Sequence, residues 1–207
     1  MGLPQLKRAA MKKSAQVGNI QNDYQKALLI YLYAKNSLYD VLCIYTGYFP
    51  VGPQTNVSMQ TITSGGWKKC FVSTYNSNDD SIDPILKTCS GSRLMLACKY
   101  LESSTIKLLA WAERSDVLHE TTSTSPTHNA KGSSWYFNPN NASGSSSSWG
   151  FAKAGDEINR ANCDTRDKNE EFRLCWHTTK GKINRGYRCG KYESYHRTTI
   201  QRLIFTT

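Results

Sequence analysis

The 207-residue sequence predicts an α+β protein, with a long N-terminal amphipathic helix followed by a mainly antiparallel, β-rich, disulfide-stabilised head. Three observations carry this expectation. Apolar residues recur at steps of three and four between residues 5 and 45, the period of one helical face. From Gly66 onward the pattern changes to short β-branched and aromatic runs bounded by Gly, Ser, Asn and Asp. Six of the seven cysteines lie in that second part. The expected organisation is a helical stem over 1–50, a linker over 51–65 and a cysteine-stabilised head over 66–207.

The stem is expected because Leu6, Ala10, Val17, Ile20, Tyr24, Ala27, Tyr31, Ala34, Leu38, Val41 and Tyr45 form a seam broken only by Lys13. Continuous, it is about 60 Å long, with Gly18 and the Asn36-Ser37 pair as possible breaks. Pro50 and the polar run after it then end the helix. Strands are expected at 67–75, 93–100, 105–113, 134–137, 172–178 and 200–207. A short helix is expected over about 84–89, because Asp83 can cap it and Pro84 suits a first helical position. The stretch NPNNASGSSSSWG offers little to bury and reads as a loop, and no internal repeat occurs.

Cys70, Cys89, Cys98, Cys163, Cys175 and Cys189 sit in a Gly-, Ser- and aromatic-rich region, the balance of a loop-rich secreted domain held by bridges. Six cysteines allow fifteen pairings, and spacing does not choose among them. Cys43 is the odd one out. The sequons Asn56-Val-Ser58 and Asn141-Ala-Ser143 are compatible with export. The start MGLPQLKRAAMKK is basic, but the apolar run ALLIYLYA at 27–34 is brief and late for a signal peptide, so any export signal is expected outside this chain. No stretch has the roughly 18–20 apolar residues of a membrane span.

The formal net charge is +10, concentrated at residues 180–202 and in Lys7, Arg8, Lys12 and Lys13. Such clusters keep a protein soluble and also attract polyanions through a salt-sensitive force. No G-x-S-x-G elbow, H-E-x-x-H, P-loop or G-x-G-x-x-G occurs, and the expectation is a protein that is not an enzyme and has no cofactor.

Four site chemistries are open to the residues of this sequence. Cys163, Cys175, His177 and Cys189 could form a zinc site, but they lack the close knuckle spacing of structural zinc ligands, so disulfides are favoured. Cys175 beside His177 could pair a nucleophile with a base, yet no orienting carboxylate stands at a known spacing. Asp156, Glu157, Asp164 and Asp167 are weak calcium candidates without EF-hand spacing. The binding candidates are Trp135, Tyr136, Trp149, Trp176, His177, Arg185, Tyr187 and Arg188, whose rings could stack on a sugar or a base with arginine beside them. Set against this, tryptophan is buried on average, and Trp135, Trp149 and Trp176 read better as core.

Two resemblances add to this reading. The ordered motifs GGWKKCFVSTY, LKTCSGSRLMLACKY, SSWYF, SWGFAKAGDEINRANCDT, FRLCWHT and GYRCG resemble an uncharacterised six-cysteine module of secreted and surface proteins, which implies location more than chemistry. LPQLKRAAMKKSAQ (3–16) together with Gly47, Tyr48, Phe49 and Pro50 is similar to a type IV pilin or pseudopilin stem lacking its hydrophobic anchor. The resemblances imply an extracellular surface protein, a pilin-like filament subunit with an adhesive head. Its expected partners are other copies, through the N-terminal helix, and a surface glycan or other polyanion. The alternatives are a freely secreted, lectin-like glycan-binding module and a salt-sensitive nucleic-acid or polyanion binder.

Overall fold

A computed structural model describes residues 47–122, 125–140, 147–160, 163, 171–193 and 197–207. The helix expected over 5–45 and Cys43 lie outside the described residues. The fold class requires correction. Strand is the commonest secondary structure of the described residues, with three short helices and no long N-terminal helix among them. None of the described helices is long and apolar enough to cross a membrane.

The strands form two antiparallel sheets. The first contains β1 (Gln54–Ser58), β2 (Lys68–Thr74), β4 (Arg93–Tyr100), β5 (Thr105–Glu113) and β12 (Ile200–Thr206), ordered β1-β5-β4-β12-β2. The second contains β6 (His128–Ala130), β7 (Ser133–Phe137), β8 (Ser148–Lys153), β9 (Leu174–Thr179), β10 (Lys182–Cys189) and β11 (Tyr192–Glu193), ordered β11-β10-β9-β8-β7-β6. The short β3 (Asp80–Ser81) also pairs with β10. Three helices accompany them: α1 (Met59–Ser64), α2 (Ile82–Thr88) and α3 (Arg114–Val117).

The principal core lies between the sheets. Leu94, Leu96, Leu108, Ala110 and Ile204 of the first sheet meet Trp135, Phe137, Trp149, Phe151 and Trp176 of the second. The tryptophans pack with the edge-on geometry that the ring quadrupole favours, Trp149 and Trp176 lying 5.6 Å apart at 82°. The run RLMLAC in β4 is apolar without alternation because both faces of this strand are covered. Leu94, Leu96 and Cys98 join the inter-sheet core, while Met95 and Ala97 join a second cluster with Ile62, Trp67, Trp111 and Phe205.

That second cluster corrects the expected linker. Residues 54–64 contain a strand paired with β5 and a helix whose Ile62 is buried. Ser58 caps α1 by accepting from the Thr61 N–H at 3.0 Å. The Gly47–Pro50 sequence is fastened to the first sheet, because two indoles donate to it. Trp67 Nε1 reaches the Tyr48 carbonyl and Trp111 Nε1 the Pro50 carbonyl, each at 2.7 Å. The Phe49 ring lies 5.0 Å from that of Trp111 and beneath the Arg93 guanidinium, whose carbon is 4.6 Å from the ring centre. In the other expected helix, α2 begins at Ile82. Pro84 is therefore in its first turn, where the missing N–H removes no helical bond, and Asp83 supplies negative charge instead of a cap.

Tyr75 links the sheets. Its N–H donates to the Ile200 carbonyl at 2.8 Å, and its carbonyl accepts from Gly186 N–H of β10 at 2.8 Å. Its hydroxyl donates to the Arg188 carbonyl at 2.9 Å and accepts from Trp176 Nε1 at 3.3 Å. Burial pushes the phenol well above its ordinary range.

Arg202, fully buried, is held by Ser73 Oγ, the Ser77 carbonyl and Asp80 Oδ2. Burial pushes its pKa down, and Asp80 opposes that. Removing the carboxylate alone leaves a cation in the interior, so Asp80→Ala is expected to cost about 3 kcal/mol, whereas Arg202→Met costs far less. Chemical denaturation of both variants checks the order.

Three disulfides complete the fold: Cys70–Cys89, Cys98–Cys189 and Cys163–Cys175. The first joins β2 to the end of α2. The second joins β4 to β10, one sheet to the other. The third attaches Cys163 to β9, beside Tyr136 and Tyr187.

Candidate functional site

The disulfides exclude zinc ligation and nucleophilic attack by their cysteines. Cys163, Cys175 and Cys189 each carry a sulfur already bonded to another cysteine, so they supply neither thiolates for zinc nor a nucleophile beside His177. Asp156 lies 3.8 Å from the Arg173 guanidinium, and the Glu157 carbonyl accepts from Arg173 Nη1 at 2.7 Å. Asp164 and Asp167 lie outside the described residues. Among the described residues, no three His, Cys, Asp or Glu side chains are grouped to hold a metal.

Most of the aromatic binding candidates prove to be structural. Trp135, Trp149 and Trp176 are at most 1% exposed in the inter-sheet core, so their faces meet protein and not ligand. Tyr136 is buried and donates its hydroxyl to the Leu174 carbonyl at 2.8 Å. Arg188 is buried and donates from Nε to the Gly190 carbonyl at 3.2 Å.

The remaining three candidates are brought together. His177 on β9 and Arg185 on β10 are direct cross-strand partners, so their side chains share a face. Trp176 points into the core, which places the His177 face outward. Tyr187 joins the same face, its ring centre 5.6 Å from that of His177. Two irregularities in register, between Ile183 and Arg185 and between Gly186 and Arg188, produce this arrangement. Each adds a residue to β10 without one on β9, and such a bulge re-aims the side chains that follow it. Asn184 sits in the first bulge, with Nδ2 3.4 Å from His177 Nδ1.

The hairpin is closed by the two-residue turn Lys180-Gly181, with φ of 46° and 73°. Two left-handed residues in succession match the twist of the flanking strands. Lys180 is exposed at this tip, and Lys182 is paired with Asp79 at 2.5 Å. Ser148 on β8 is the cross-strand partner of His177 on its other side. Its hydroxyl is buried and finds no partner among the described residues. Asn184 and Ser148 were not foreseen, because only strand register brings them to His177.

The assembled face is half-buried, cationic and aromatic. It combines a guanidinium, a group suited to forked hydrogen bonding, with an imidazole and a phenol ring, the Tyr187 ring also packing beside the Cys163–Cys175 bridge. Comparison of the chain with protein-family models, with curated proteins and with solved structures finds no match.

Proposed function

We propose that the protein is an extracellular, non-catalytic binding module that holds an anionic glycan on the outward face of the β9–β10 hairpin. The observation that carries this reading is the convergence of Arg185, His177 and Tyr187 on one face, with Lys180 at the tip. A guanidinium recognises sulfate or carboxylate oxygens as a planar fork, and a tyrosine ring covers the apolar face of a sugar. The overall charge of +10 adds attraction at long range. The three disulfides support an oxidising location outside the cytosol. The filament reading rested on residues 5–45, which lie outside the described residues, and on Gly47–Pro50 as the end of a stem.

The test is calorimetric titration with a sulfated heparin-type oligosaccharide, with unsulfated dextran and duplex DNA as comparisons. Arg185→Ala is expected to weaken oligosaccharide binding about tenfold, near 1.4 kcal/mol. Lys180→Ala is expected to act mainly by lowering the salt dependence. Equal affinity for DNA and oligosaccharide at matched salt, together with indifference to Arg185→Ala, would overturn the proposal in favour of unspecific attraction.

A further inference from the structure

Away from this face, the end of the second sheet carries a pair of histidines that the binding role leaves unused. His128 begins the edge strand β6, and His119 follows the short helix α3. Their rings lie face to face, with centres 4.5 Å apart and planes inclined by 24°. Asp116, in α3, places Oδ1 2.7 Å from His128 Nε2. The Asp116 and His128 side chains are 27% and 31% exposed, and His119 is more open still, so dissolved ions can reach the pair.

An ionised carboxylate only accepts hydrogen bonds, so the His128 nitrogen facing it bears the proton. The ring lone pair of neutral His128 is then on Nδ1. A carboxylate that accepts from one imidazole nitrogen fixes the tautomer and raises the basicity of the other, the usual outer-shell support of a histidine metal ligand. His119 supplies a second imidazole within one ring width. Lone pairs lie in the ring planes, so stacked rings do not yet converge on one point. The exposed His119 has the side-chain freedom to turn its nitrogen toward the one on His128.

We propose that His119 and His128, with Asp116 as the orienting group, form a surface site for a borderline divalent transition cation, with water completing the coordination. Imidazole nitrogen selects copper, nickel or zinc over the hard cations calcium and magnesium. The site needs two nitrogen ligands and an outer-shell carboxylate, which is compatible with the described residues offering no group of three ligands.

Cu²⁺ is the probe, titrated into the full chain carrying Cys43→Ser so that the odd thiol does not compete. Calorimetry is expected to show one equivalent bound, and electron paramagnetic resonance is expected to show coupling to two nitrogens. His119→Gln, at an exposed position, and His128→Ala are each expected to weaken binding at least tenfold. Asp116→Asn is expected to weaken it by about tenfold, the lower end for loss of such support. His177→Ala, on the β9–β10 hairpin, should leave the copper affinity unchanged. Binding unchanged in His119→Gln, a single coupled nitrogen in the parent, or no binding at about 0.1 mM would overturn the site and leave the pair as a stacking contact only.

Discussion

Gly186→Ala is expected to destabilise the domain by at least about 3 kcal/mol, a large fraction of the roughly 5–15 kcal/mol that holds a domain together. The added methyl would meet the ring of Tyr75, with Cγ and both Cδ atoms inside any allowed contact distance. Neither partner can retreat. The Gly186 backbone is tied to Tyr75 by its N–H bond and to Trp176 by strand pairing, while the Tyr75 hydroxyl is engaged with Arg188 and Trp176. Overpacking is then relieved only by separating the sheets at the point where Tyr75 joins them. A double-mutant cycle isolates this cause. In a Tyr75→Ala background the methyl has room, so Gly186→Ala should add little to the cost already incurred. Chemical denaturation of the four proteins is the measurement, and additive costs would count against the contact.

Losing Cys98–Cys189 is expected to cost more than losing either other bridge. Its cysteines are separated by 91 residues, against 19 for Cys70–Cys89 and 12 for Cys163–Cys175. Chain entropy in the unfolded state assigns the long loop about 4.5 kcal/mol and each short one about 3 kcal/mol. Both sulfurs are also fully buried between the sheets, so their removal adds a small void. The paired Cys98→Ala, Cys189→Ala variant should therefore melt about 10 °C or more below the parent. The Cys163→Ala, Cys175→Ala variant should melt between the two, and the reverse order would contradict the loop-length account.

The strands that the sequence makes plain are those rich in β-branched and aromatic residues. β4 and β5 occupy 93–100 and 105–113 as expected, and β2, β7, β9 and β12 fall within two residues of their expected bounds. Three of the strands not expected, β1, β8 and β10, have specific reasons for being hidden. β1, QTNVS, is an edge strand and tolerates polar residues on its open side. β8 follows a serine run and contains Gly150, whose missing side chain leaves room for the Leu174 carbonyl and the Tyr136 hydroxyl. β10, KINRGYRC, carries two bulges that break its alternation. At the candidate site His177, Arg185 and Tyr187 were legible as residue types. Their meeting depends on pairing between strands, which no local pattern encodes. The same limit explains the tryptophans, since a ring suited to a sugar is equally suited to a core.

The position of β12 has a consequence for how the protein is made. It lies between β4 and β2 and supplies the hydrogen-bonding partner for both. While the ribosome is still synthesising residues before Ile200, β2 has no neighbour in its sheet and one edge of β4 stays open. The β1, β5 and β4 part of the sheet can pair earlier, but closure of the whole sheet must follow translation of β12. Pairings of such long range are slow to form, so the nascent chain spends that interval with sticky edges uncovered, the period in which a chaperone would have most to protect.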